Sequence, residues 1–472
     1  MSVFASTATS SCTDRAPVLR SRPRAETAPT AGPALPAVVG ADLQVPTLSG
    51  TTTYANLDHA ASTPALVAVK EAVDRALETY ASVHRGAGYA SRLTSAWYEE
   101  ARAQVAQFVG ARGDDTVVFT RTTTDSWALL SSALPATTTI FVFASEHHST
   151  LLPWGDDRTV RLPVPHSVEE ARSVLGEALA NAGSVDPDGD RLVVVTAASN
   201  VTGEVWPIED FARIAHDHGA RIAVDAAQLS GHRRIDLAGW DVDYVAFSGH
   251  KTYAPFGAGV LAGRSDWLDA GAPYLRGGGA TRSVGEHGTS WATGPARHEG
   301  GSPNVIGAIA LAAACATIAG HRGAIEEHEA RLLARLRDGL RSIDGVERLS
   351  FFGENHDRVG VVAFTVRGLE PSLVSQVLSV EHGIGVRDGR FCAHLLVDDL
   401  LAKRGDATPG EGVATAVRAS IGLGTTIEGV DRLIGAVREL VEAGPAARWT
   451  RGDTGWVVAG NDPRDREVTR PW

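Results

Sequence analysis

Lys251 stands at the end of an apolar run, Val242 to Phe247, within Ser248-Gly249-His250-Lys251-Thr252-Tyr253. A lysine at the mouth of a buried strand sheds part of its hydration. Its amine is then available in the neutral form that a Schiff base with pyridoxal phosphate requires. The Ser248 hydroxyl and the His250 imidazole beside it are suited to holding a phosphate. Upstream, Arg221-Ile222-Ala223-Val224-Asp225 reads as a second short buried strand that ends in a carboxylate. A carboxylate facing the pyridine nitrogen keeps it protonated and lets the ring take up carbanion charge. Taken alone, Asp225 also reads as a helix cap.

Two further segments repeat the pattern of apolar strand and polar tip. Thr116 to Thr120 leads into Arg121-Thr122-Thr123-Thr124-Asp125-Ser126, with a helix expected to begin near Trp127. Hydroxyls and free N–H groups at a helix N-terminus make an anion site, or simply a cap. Leu192 to Ala198 runs into Ser199-Asn200-Val201-Thr202-Gly203, where Asn200 either bonds a cofactor oxygen or shapes a turn. The chain has three cysteines. Cys12 lies in a polar leader, and Cys315 on a small-residue helix face, where a buried structural thiol is expected. Cys392 has Arg387, Arg390 and His394 within five residues, and nearby positive charge lowers a thiol pKa from ~8.5 towards neutrality. Such a thiolate is the nucleophile that removal of sulfur from a substrate needs.

Together with Leu57-Asp58-His59-Ala60-Ala61, Val83-His84-Arg85-Gly86, Glu146-His147-His148, Asp225-Ala226-Ala227-Gln228 and Glu299-Gly300-Gly301-Ser302-Pro303-Asn304, these motifs resemble class V aminotransferase-fold enzymes over residues 54–440. Within that class they look like the cysteine desulfurase/selenocysteine lyase group of the SufS type. The resemblance implies an α/β fold, the pyridoxal-phosphate transferase fold type I. In it a large domain with a mostly parallel, seven-stranded-type sheet joins a smaller α+β C-terminal domain. It implies Lys251 as the Schiff-base lysine, Asp225 at the pyridine nitrogen and His147 stacked on the ring. Asn200 and Gln228 would sit near the phenolic oxygen, and Thr123, Thr124, Ser248 and His250 at the phosphate. Ser302 would reach in from a partner subunit, which implies a homodimer, and Gly277-Gly278-Gly279, which by its residues also reads as a simple turn, would belong to a mobile hairpin near that partner's site. Arg418 and Arg387 would bind the substrate carboxylate, with His84 and Asn200 also on the substrate side. Cys392 would take the sulfur from cysteine, leaving alanine and an enzyme persulfide. Where the group commonly has two histidines before the cysteine, this chain has Arg390-Phe391, which removes candidate proton donors. A C-S lyase or an aminotransferase on another amino acid remains open, because this scaffold hosts several chemistries.

The elements that must position these residues follow from composition. From about residue 70 to 310 strands alternate with helical stretches such as Ile208 to Gly219, the pattern of a parallel sheet with crossover helices and the expected cofactor domain. Residues 46–69 and 311–442 are expected to form the small domain, with Val305 to Gly320 as a buried helix between the two and Glu326 to Leu340 as another. That apolar run is short for a membrane span. Residues 1–45, rich in Ala, Pro, Ser, Thr and Arg, read as a disordered extension. Pro17, Pro23 and Pro29 interrupt any amphipathic leader helix. Residues 398–412 read as a charged surface loop beside the site, open to accepting a sulfur-acceptor protein, shielding a persulfide or neither, and 443–472 as a tail without assigned role. A net charge of −12 argues against a nucleic-acid surface, and three dispersed cysteines leave neither a disulfide framework nor a metal site. The whole is expected to be a cytoplasmic enzyme of two domains.

Overall fold

Four consecutive parallel strands carry the pattern Val-Ile-Leu-rich and uninterrupted, and this composition is that of strands covered on both faces. In Arg191–Thr196, Val193 and Val195 enter one core cluster while Leu192 and Val194 enter another. Ile222 and Val224 against Ala223, and Val245 and Phe247 against Tyr244 and Ala246, divide in the same way. This is the two-residue alternation of a strand expressed as two separate cores. The structure, a computed structural model, describes residues 34–402, 415–453, 455–465 and 470–471.

The central sheet has seven strands in the spatial order Asp115–Thr120, Gly259–Arg264, Tyr244–Ser248, Arg221–Asp225, Arg191–Thr196, Thr139–Phe143, Thr159–Leu162. Gly259–Arg264 is antiparallel to both neighbours, and the other pairings are parallel. Parallel strands deliver their C-terminal ends to one edge of the sheet, where ligands bind in such folds. Asp225 and Ser248 stand at two of those ends. A second, antiparallel sheet has the order Val346–Arg348, Val361–Val366, Ala416–Ser420, Arg387–Gly389.

Five expectations change. The helix after the Thr116–Thr120 strand starts at Thr123, not near Trp127, because Thr122 caps it by accepting from the Asp125 N–H. Val305 to Gly320 and Glu326 to Leu340 are not two helices but one, Val305–Arg341. At 37 residues it is long and apolar enough to cross a bilayer, so the argument from a short run does not hold. Its apolar side chains are instead buried: Ala310, Leu311, Ala314 and Ile318 in the core of the seven-stranded sheet, and Leu332, Leu336 and Leu340 in the core of the smaller one. Residues 34–45, grouped with the disordered extension, are ordered: Val38 bridges Leu66, and Gln44–Thr47 pairs with Gly50–Thr53. Residues 1–33, Cys12 among them, lie outside the described residues. Asp398 to Ala402 belong to a helix, His394–Ala402, rather than to a loop, and 403–412 lie outside the described residues.

The tail forms a hairpin, Trp449–Gly452 with Gly455–Val458. Its indoles bracket the helix Pro371–His382: Trp449 Nε1 donates to Glu381 at 3.0 Å and Trp456 Nε1 to Glu370 at 3.1 Å.

Candidate active site

Two glycines let the strand tips close on each other. Gly203 has φ +77, and a Cβ there would lie 2.7 Å from the Val359 and Val361 carbonyl oxygens, so the turn carrying Asn200 can pack this tightly only with glycine. A Cβ on Gly249 would meet the Ala258 and Ala254 carbonyls at 2.8 and 2.9 Å. Lys251 therefore leaves the sheet on a short 3-10 turn, Gly249–Lys251.

The tips enclose a cavity of about 270 Å³ lined by Thr123, Thr124, His147, Asn200, Asp225, Gln228, Ser248, His250, Lys251, Arg387, Cys392 and Arg418. A larger open depression around Arg335, Asp338 and Asp431 is lined by no lysine or cysteine. Burial brings the Lys251 pKa down to about 8 from 10.5, with Arg418 and Arg387 adding to the fall and Asp225 opposing it. A usable fraction of the amine is thus neutral near physiological pH. Asp225 is buried and each of its oxygens accepts one hydrogen bond: Thr150 Oγ1 donates to it at 2.6 Å and the Ala227 N–H at 2.9 Å. The pKa of His147 falls to about 3, mainly by burial and then by Lys251, so its ring is neutral. The Ser149 N–H donates to His147 Nδ1 at 3.1 Å, which assigns the ring proton to Nε2. At the other wall, Ser248 Oγ accepts from the Thr123 N–H at 2.7 Å, where the helix Thr123–Ala133 begins. Gln228 Nε2 donates to the Ala60 carbonyl at 2.8 Å.

Arg418 and Arg387 are directly paired residues on adjacent antiparallel strands. Like charges in that relation repel. Asp58, which the sequence reading quoted in a motif without a role, supplies the counter-charge: it accepts from Arg418 Nη2 at 3.1 Å and from Arg387 Nε at 3.2 Å. Arg418 is 2% exposed, and burial lowers its pKa to about 10 against the opposing effect of Asp58, so it stays charged. Asp58→Asn removes the charge between two guanidinium groups. We predict a stability loss of about 2 kcal/mol for the apoenzyme in a urea titration, below the range for a fully buried pair because Asp58 is partly exposed. An unchanged midpoint would refute this account.

Cys392 is exposed at the cavity mouth, whereas Cys315 is buried and its thiol pKa pushed up by burial. Arg390, counted from sequence as a charge beside the thiol, is ion-paired with Asp398 on the following helix. Imidazoles do reach the neighbourhood. The His148 ring meets His394 edge to face at 4.3 Å, and the His148 backbone N–H donates to the Cys392 carbonyl at 2.7 Å. No spacing rule links His148 to His394, so pattern reading missed the pair. It quoted Glu146 in a motif but gave it no role; Glu146 is fully buried and held well above the usual carboxylate range by burial, with Asp225 adding to the effect. Glu146 receives the Thr196 N–H at 3.0 Å.

Two expected residues lie outside the cavity. His84 is half-exposed and bonded to Glu99 at 2.9 Å. Ser302 is exposed. Its segment is tied down at Glu299, which accepts from Tyr98, Arg102 and the Phe119 N–H, and at Gly301, whose N–H donates to Gly278 at 2.6 Å. From there the hairpin Thr281–Gly285 with Gly288–Trp291 extends with Val284 72% exposed. Among the described residues no cluster of three His, Cys, Asp or Glu is placed to hold a metal ion.

The family model for aminotransferase class-V matches residues 55–433. The chain is 35% identical over 403 residues to a cysteine desulfurase of Dickeya dadantii, covering 82% of this chain and 92% of that one. It is 32% identical over 399 residues to a probable cysteine desulfurase of Vibrio cholerae, covering 82% and 93%. Among solved structures, an apo cysteine desulfurase from Thermococcus onnurineus aligns with a TM-score of 0.72 at 33% identity, over 82% of this chain and 95% of that one.

Proposed function

The chain belongs to the class-V aminotransferase family, and from that membership we propose that it is a pyridoxal-phosphate-dependent cysteine desulfurase, converting L-cysteine to L-alanine and receiving the sulfur on Cys392. The observation that carries the proposal is that an amine, a carboxylate, a guanidinium and a thiol, from Lys251, Asp225, Arg418 and Cys392, line one cavity. The donor set fits the cofactor. Hydroxyls of Thr123, Thr124 and Ser248 with the His250 imidazole, at a helix N-terminus, suit a phosphate. The buried Asp225 carboxylate suits a protonated pyridine nitrogen, and the neutral His147 ring suits a stacking partner. Bound there, pyridoxal phosphate supplies an electron sink for the charge left when the substrate's α-proton departs.

The chain's own residues do the rest. Arg418, with Arg387, binds the substrate carboxylate through planar donors and fixes the amino acid in register. Lys251 would anchor the cofactor, and its amine, once free, takes the substrate's α-proton onto its nitrogen. The Cys392 thiolate attacks the substrate sulfur, so that an S–S bond forms as the C–S bond breaks. The carbon is protonated and alanine leaves, while a persulfide stays on Cys392. A reductant or an acceptor protein then removes the sulfur. The exposed hairpin, with Ser302 outside its own cavity, supports a homodimer in which that segment serves the partner's site. A free thiol that must stay reduced supports a cytoplasmic place of work.

The test is stoichiometric. Wild-type enzyme given L-cysteine and dithiothreitol is expected to release alanine and sulfide in equal amounts. Pyruvate and ammonia in place of alanine would mean a C-S lyase, and conversion of the cofactor to its amine form without sulfide an aminotransferase.

A further inference from the structure

We propose that Phe391 is a positioning residue that couples the carboxylate clamp to the sulfur nucleophile. Three residues form a closed circuit. Arg418 Nη1 donates to the Asn200 carbonyl at 3.0 Å, and Asn200 Nδ2 donates to the Phe391 carbonyl at 2.7 Å. The Phe391 ring closes it, lying over the Arg418 guanidinium with its centroid 5.0 Å from Cζ. Each member is thus held by the other two. All three are buried, at 2%, 8% and 7% exposure, so the cation–ring contact is little screened by water.

The next residue is Cys392. Phe391 and Cys392 have φ of +52 and +54, two successive non-glycine residues in the left-handed region. Backbone in that region is strained and persists only where its surroundings over-determine it. Here both carbonyls are pinned, that of Phe391 by Asn200 and that of Cys392 by the His148 N–H at 2.7 Å. The thiol therefore sits on a tensioned turn whose one aromatic anchor rests on the guanidinium that would take the substrate carboxylate. Arg418 Nε has no hydrogen-bond partner among the described residues, so the guanidinium has a donor in reserve for an incoming anion. Any shift of Arg418 as it engages a carboxylate is passed to Phe391 and from there to Cys392.

This inference rests on the roles proposed for Arg418 and Cys392, and its test separates the two. Holoenzyme is labelled with iodoacetamide, with and without L-alanine as the carboxylate probe, and modification of the Cys392 peptide is followed by mass spectrometry. In wild type L-alanine is expected to change the labelling rate at least about fivefold. Phe391→Leu, which keeps apolar bulk but loses the ring, is expected to lose that response and to raise the KM for L-cysteine about fivefold. Phe391→Tyr, which keeps the ring, restores both. A Leu variant with the wild-type response and KM overturns the coupling, since simple shielding of the thiol by L-alanine would survive the substitution. A wild type insensitive to L-alanine overturns it as well. Failure of wild type to desulfurate L-cysteine would refute the proposed activity alone, because labelling requires no turnover.

Discussion

Lys251→Ala is expected to lose desulfurase turnover by on the order of 10⁴-fold or more, because the substitution removes both the proposed covalent anchor for the cofactor and the group proposed to carry the α-proton. The fold should survive, since the side chain faces the cavity rather than the core. A second readout follows from the amine's environment. Its pKa is about 8 rather than 10.5, because burial penalises the charged form. The neutral fraction therefore rises about tenfold per pH unit below 8 and levels off above it. The rate at which apoenzyme captures pyridoxal phosphate, followed by absorbance, should trace that curve. Capture that climbs steadily to about pH 10 would mean a solvated lysine, and a Lys251→Ala protein that still turned over L-cysteine would refute its role altogether.

Cys392→Ala is expected to reduce sulfide release by on the order of 10²- to 10⁴-fold while leaving the cofactor absorbance intact. Cys392 is exposed at the cavity mouth, so its truncation leaves no cavity in the core. Cys315→Ala is the matched control: that thiol is buried in the core of the large sheet and pushed towards the neutral form, so turnover should persist. Parallel measurement of alanine and sulfide in the two variants decides the matter. If Cys392→Ala matched wild type, the thiol would be incidental and the sulfur would leave by elimination instead.

Much of the cavity could be read from local pattern. Lys251, Asp225, Thr123 and Asn200 each follow an apolar strand within a few residues. In a parallel sheet every strand end of the same polarity meets at one edge, so a repeated local motif becomes a shared site. The class of fold was legible for the same reason. The start of the helix at Thr123 was missed because capping by the Thr122 side chain competes with the simpler reading of a polar loop. The continuity of Val305–Arg341 was missed because its apolar stripe passes from one core to the other, which blurs a single periodicity.

What sequence determined by itself was therefore the set of strand-tip groups and the chemistry of an amine, a carboxylate and a thiol. Only the tertiary structure decided the charge balance around them. Asp58 and Arg418 are 360 positions apart, and Phe391 meets Asn200 across 191. Their pairing depends on strand register and burial, neither of which leaves a mark in short-range spacing. Arg390 shows the converse: it neighbours Cys392 in sequence, yet its charge is directed at Asp398, because a helix turn brings that carboxylate within reach and an ion pair outweighs a contact with a thiol.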